Sequence, residues 1–131
     1  MTTTETSPDT TTDTTTEQVI DAYFAMWNEH DPAARAALIE QAWSSDGSYR
    51  DPLLAADGPT ALSEMVAVVH QHYPGQRFAR VTAIDEHNGF ARFGWQLADD
   101  GGSVSVAGLD VAELADDGRL ARITGFFGEL T

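Results

Sequence analysis

Ser103-Val104-Ser105-Val106-Ala107-Gly108-Leu109-Asp110-Val111-Ala112-Glu113-Leu114 is the stretch on which the reading of this chain turns. Side chains alternate across a strand, so a period of two sets Val104, Val106, Gly108, Asp110, Ala112 and Leu114 on one face. Asp110 is the lone carboxylate of that otherwise apolar face. Taking an unpaired carboxylate out of water is so costly that the group takes up a proton or finds a strong partner. Three readings follow. Asp110 points into a pocket and serves there as a neutral hydrogen-bond donor, it pairs with an arginine such as Arg92 or Arg122, or a bulge slips the register and exposes it.

The neighbouring segments extend the strand pattern on both sides. Gln76 to Asp85, Phe90 to Leu97 and Arg119 to Glu129 read as further strands, separated by His87-Asn88-Gly89, Asp99-Asp100-Gly101-Gly102 and Asp116-Asp117-Gly118, which are hairpin-turn sequences. Upstream, helical periodicity takes over. A first helix opens near Thr14, with Thr14 and Glu17 at capping-box spacing, and carries an apolar stripe through Val19, Ile20, Tyr23, Phe24 and Trp27, so Tyr23 faces inward. Asp31 and Pro32 start a second helix that buries Leu38, Ile39 and Ala42. Ser44 to Gly47 reads as a turn, and Ser48-Tyr49-Arg50-Asp51 as a short strand stopped by Pro52. A third helix opens at Pro59, buries Leu62, Met65, Val66 and Val69, and ends before Tyr73-Pro74-Gly75. Helices first and antiparallel strands afterwards define an α+β domain, three N-terminal helices packed on one face of a curved antiparallel sheet. The threonine-rich residues 1–16 read as a disordered tail, and 17–131 as a single domain.

Composition narrows the chemistry. The absence of cysteine excludes disulfides, thiolate metal sites and a cysteine nucleophile, and the seven basic residues are all arginine, so there is no Schiff-base lysine. A formal net charge of -14 argues against nucleic acid and against anionic membrane surfaces as partners. With neither a signal-peptide pattern nor a long apolar segment, the expected location is cytoplasmic. No two histidines stand at i, i+4 spacing, so no metal site is expected. His70 and His72 on the third helix point to different faces, His87 belongs to a turn, and His30 is placed to meet the carbonyl end of the first helix.

Taken in order, Ala22-Tyr23-Phe24-Ala25-Met26-Trp27-Asn28-Glu29-His30-Asp31, Trp43 to Pro52 with its closing Asp51-Pro52, Gly108-Leu109-Asp110, Asp117-Gly118-Arg119-Leu120 and Gly125-Phe126-Phe127-Gly128-Glu129 resemble the nuclear transport factor 2-like superfamily. The resemblance covers roughly residues 17–130 and implies a cone-shaped α+β fold around an apolar pocket. Within that superfamily the chain is similar to the ketosteroid isomerases and the SnoaL-like polyketide cyclases. The former imply a base at Asp51, a tyrosine donor at Tyr23 and a protonated acid at Asp110. A carboxylate can move a proton between carbons while two neutral donors stabilise the charge growing on a carbonyl oxygen. The tyrosine that supports the catalytic phenol from the third helix in ketosteroid isomerases is missing, its place falling near Val66. The Arg-x-Asp arrangement of limonene epoxide hydrolase-like relatives is missing, since Arg50 and Asp51 are adjacent. Trp27, Trp95, Phe126 and Val66 are the expected substrate-binding residues, though aromatics at such periodic positions also build cores. The resemblance thus implies a cofactor-free acid/base enzyme acting on a small hydrophobic carbonyl compound, steroid-like or polyketide-like, and a homodimer. The alternative is a non-catalytic domain that binds a hydrophobic small molecule.

Overall fold

The computed structural model describes residues 15–128. The proposed tail therefore lies almost wholly outside the described residues, as do Thr14 and Glu129 of the motifs above. Helix α1 (Thr16–Asn28) starts one residue later than expected. Thr15 is its N-cap, accepting from the Gln18 amide, while the Gln18 side chain accepts from the Thr15 amide. The capping box is thus Thr15 with Gln18, not Thr14 with Glu17. Helix α2 (Pro32–Ala42) is capped by Asp31 with Pro32 at its first position, and α3 (Gly58–His72) stops at Tyr73, both as the sequence predicts.

Seven strands follow or intervene: β1 (Trp43–Arg50), β2 (Ala55–Asp57), β3 (Arg77–Arg80), β4 (Asp85–His87), β5 (Phe90–Ala98), β6 (Val104–Leu114) and β7 (Leu120–Phe127). They form one sheet in the order β2-β1-β7-β6-β5-β3, with β4 also pairing β5. The sheet is mixed rather than antiparallel throughout, because β7 inserts between β6 and β1 and runs parallel to β1, with Tyr49 opposite Ile123. Its curved surface stays open, ending at β2 on one side and β3 on the other.

Local chemistry accounts for the departures from the predicted strands. The segment Gln76 to Asp85 is broken because Thr82 Oγ1 accepts the Gly94 amide at 2.8 Å, taking the place of a backbone rung, so β3 ends at Arg80 and β4 starts afresh. Ser44 to Gly47 is not a free turn but part of β1, whose register on β7 shifts between Trp43 and Ser48 as at a bulge. Asn88 and Gly89 both have positive φ, the type I′ hairpin geometry that their sequence calls for.

The helices cover one face of the sheet. Val19, Ile20, Tyr23 and Met26 of α1, Leu62 and Val66 of α3, and Phe93, Ala112 and Ile123 of the sheet are almost entirely buried in a common core. Each such large side chain contributes roughly 1.5–3 kcal/mol by leaving water. At its C-terminal end α1 is fixed to the sheet by Asn28, whose amide donates to the Phe78 carbonyl (2.9 Å) and accepts from the Phe78 amide (2.8 Å). One side chain thereby serves β3 as an extra strand partner along its free edge.

Candidate functional site

Asp110 resolves into the first of its three readings as far as place is concerned. It is 2% exposed, on the inward face of β6, and neither Arg92 nor Arg122 reaches it. Those arginines pair with Asp85 and Glu113 on the other side of the sheet. Instead, Tyr23 Oη donates to Asp110 Oδ2 at 2.7 Å and Trp95 Nε1 donates to Oδ1 at 2.9 Å. Burial pushes the Asp110 carboxyl up to about 7, helped by the charge of Asp51, while the two donors act in the opposite sense. The Tyr23 phenol is raised well above its ordinary value, first by burial and then by the charge of Asp110, so it stays protonated.

Asp51 stands where β1 gives way to the Pro52 loop. Its Oδ1 accepts from the Leu53 and Leu54 amides, each at 2.8 Å, and its Oδ2 accepts from Tyr49 Oη at 2.7 Å. Asp51 is thus both the cap of its loop and a carboxylate at the pocket. A carboxylate offers about four lone-pair positions, so three donors leave one free. Tyr49, two residues earlier on the same face of β1, is the member of the site that sequence reasoning missed. Burial and the charges of Asp110 and Asp51 raise its phenol, and it neighbours Tyr23. Val66, near which the resemblance to ketosteroid isomerases puts a supporting tyrosine, is fully buried in the core.

The three elements converge through a glycine. Gly125 on β7 lies opposite Asp110 of β6, and a Cβ there would come within 2.9 Å of Asp110 Oδ1, 3.3 Å of Asp51 Cβ and 3.4 Å of Tyr49 Oη. Gly108 plays a similar part for Trp95, whose Cζ2 would lie 2.7 Å from an added Cβ. The two glycines let the indole and both carboxylates lie close against the sheet.

Two adjacent cavities lie beside these groups. The inner one, about 10 Å³, is bounded by Tyr23, Phe24 and Asp110, and shares Trp27, Tyr49, Phe78 and Trp95 with the outer one. The outer cavity, about 60 Å³, reaches Asp51, Leu53, Val69, Tyr73 and Phe127. A closed cavity of roughly 150 Å³ holds benzene, so a steroid-sized ring system is not enclosed by this cavity, which is open at its mouth beside the exposed Leu53. Of the expected binding residues, Trp27 and Trp95 line the space. Phe126 does not: it is 53% exposed on the outer face, and Phe127 takes its place. Counting by twos along β7 from Gly125, which faces Asp110, would have found Phe127. Val66 yields its place to Val69, one turn further along α3.

Two of the four histidines, His30 and His70, lie together, and neither lines the cavity. The rings of His30 and His70 stack at 4.0 Å, and it is His70 Nε2, rather than His30, that meets the Trp27 carbonyl, at 2.7 Å. Burial, with His30 and Arg35 nearby, lowers the His70 imidazole below its ordinary value. Arg35, 3% exposed, donates to the carbonyls of Glu29, His30 and Ser63 and so ties the α1–α2 link to α3.

Three helices on an open curved sheet, with a tyrosine and two carboxylates at an apolar cavity inside, define an α+β protein of the nuclear transport factor 2-like class. The SnoaL-like domain family matches residues 20–123, and the chain belongs to that family. A structure from Agrobacterium tumefaciens, provisionally described as an isomerase of the SnoaL-like family, is 34% identical with a TM-score of 0.80, over 86% of this chain and 97% of that one. A provisionally described polyketide cyclase of Sinorhizobium meliloti shares the fold at 16% identity and a TM-score of 0.64, over 82% of this chain and 92% of that one. So does a Catenulispora acidiphila protein of ketosteroid isomerase-like fold, in complex with trimethylamine, at 14% identity and a TM-score of 0.68, over 88% of both chains. No curated protein matches the chain significantly.

Proposed function

We propose that the protein is a cofactor-independent acid/base enzyme of isomerase or cyclase type, acting on a small hydrophobic carbonyl compound by enolisation. One observation supports this reading: two carboxylates in opposed environments face adjacent apolar cavities that share Trp27, Tyr49, Phe78 and Trp95. Asp51, held by three donors at the outer cavity, is the base. Asp110, buried behind it and titrating at about 7, is the acid. Unequal environments for two such groups are how one site holds both a base and an acid at the same pH. Once Asp110 is protonated its own O–H becomes a donor, and the Tyr23 hydroxyl no longer has to serve a carboxylate. A carbonyl oxygen entering the inner cavity then meets two neutral donors in a site with little room for water, where charge developing on that oxygen is stabilised most. The cavity favours compact substrates over steroid-sized ones.

The second reading is a domain that binds without turnover. It is favoured by the hydrogen bonds that already commit Tyr23 and Trp95 to Asp110. Deuterium exchange at the α-carbon of small cyclic enones and ketones decides between the two. Enolisation predicts exchange that falls roughly 10²–10⁴-fold in Asp51→Asn, the range a positioned base contributes. Binding of the same ketones with no exchange in the wild type establishes the second reading.

A further inference from the structure

The outer cavity has a wall of rings and a single charge. Tyr49 touches Trp27 (5.6 Å between centroids), Trp27 touches Phe78 (4.8 Å), Phe78 touches Trp95 (5.7 Å) and Trp95 touches Phe127 (6.0 Å), a continuous arc of five aromatic side chains. At the Tyr49 end the arc closes on Asp51 through the 2.7 Å hydrogen bond. Asp51 is the sole charged residue in the cavity lining, and no arginine reaches it.

We propose that this cavity is a seat for a small alkylated ammonium group, such as a trimethylammonium head. Aromatic faces carry partial negative charge and attract a cation within about 6 Å of a ring centroid. The Asp51 carboxylate, fixed by its three donors, supplies the counter-charge with one lone-pair position to spare. The cavity of about 60 Å³ does not enclose the whole head, but its mouth is open where Leu53 is 76% and Phe127 37% exposed, so the head need only sink its methyl groups between the rings. Alkylation matters because a bare ammonium would bring several N–H donors into a wall that offers almost no acceptors beyond Asp51, whereas methyl groups ask for none. The formal net charge of -14 further draws cations toward the molecule. The inference uses the cavity of the proposed reaction but needs no turnover.

Titration of the full chain with tetramethylammonium chloride, followed by the indole N–H resonances of Trp27 and Trp95, tests it at constant ionic strength. The expected result is saturable binding at least about tenfold tighter than that of tert-butanol, a neutral compound of similar size, with no response to sodium chloride. Asp51→Asn, which keeps the side-chain shape, and Phe127→Leu, at the half-exposed end of the arc, each weaken binding about tenfold. Equal binding of tert-butanol, or unchanged binding in both variants, overturns the proposal. The two readings fail separately: exchange of neutral ketones without tetramethylammonium binding sinks only the ammonium seat, and binding without exchange sinks only the enolisation.

Discussion

Asp110 links the stability of the protein to its acid chemistry. Its carboxyl keeps a proton in the folded chain up to about pH 7, against 3.8 as its ordinary value. Between those pH values the folded state binds more protons than the unfolded one, so stability falls as pH rises, and the loss is complete above pH 7. The difference amounts to on the order of 4 kcal/mol. Asp110→Asn removes this dependence, so urea midpoints measured at pH 5 and pH 8 are expected to differ less in the variant than in the wild type, and the variant to be relatively more stable at pH 8. Gly125→Ala tests the convergence of the site. A methyl group 2.9 Å from Asp110 Oδ1 forces the carboxylates apart, costing roughly 1–3 kcal/mol and lowering exchange activity together with the denaturation midpoint. The inward placement of Tyr23 and Asp110 is legible because each follows from a local period, 3.6 on a helix and two on a strand, whereas Asp51 is marked only by the Asp51-Pro52 motif of the resemblance. Tyr49 is not legible, since a strand tyrosine reads as ordinary filling until its hydroxyl is seen on Asp51. Phe126 and Phe127 are not told apart by the sequence of β7 alone, because its parity is counted from a partner, Gly125 opposite Asp110.

Among the elements, β3 depends on a helix more than its short length suggests. Its free edge is held by the paired hydrogen bonds between Asn28 and Phe78, and Phe78 is a wall of both cavities. Asn28→Ala is therefore expected to cost roughly 1–3 kcal/mol, the usual effect of leaving partly buried backbone groups unpaired. Amide exchange at Phe78 should rise more than that at Leu97, which is held inside the sheet. Helix limits were readable from Asp31, Pro32 and the Tyr73-Pro74-Gly75 breaker, because capping and proline chemistry act within a few residues. The parallel pairing of β1 with β7 is not readable, for it joins positions as far apart as Tyr49 and Ile123 and leaves no mark on either segment. Nor is the break between β3 and β4, which turns on one threonine hydroxyl reaching Gly94.

At the scale of the whole molecule, charge sets the terms. Twenty-one acidic residues face seven arginines, and the five ion pairs among the described residues are partly or largely exposed, where such pairs add little. Self-repulsion outweighs them, so raising the salt from low to moderate ionic strength is expected to increase the Tm by a few degrees, as differential scanning calorimetry would read. A fall in Tm with salt would mean that the exposed pairs dominate after all. The position of β7 adds a constraint of another kind, one of timing. The strand that brings Asp51 of the first half beside Asp110 of the second comes after both in the chain, and such distant pairings form slowly. A folding chain can hold every helix, both carboxylates and both tyrosines before β7 has docked, so the carboxylates come side by side in one late step, when that strand slots between β1 and β6.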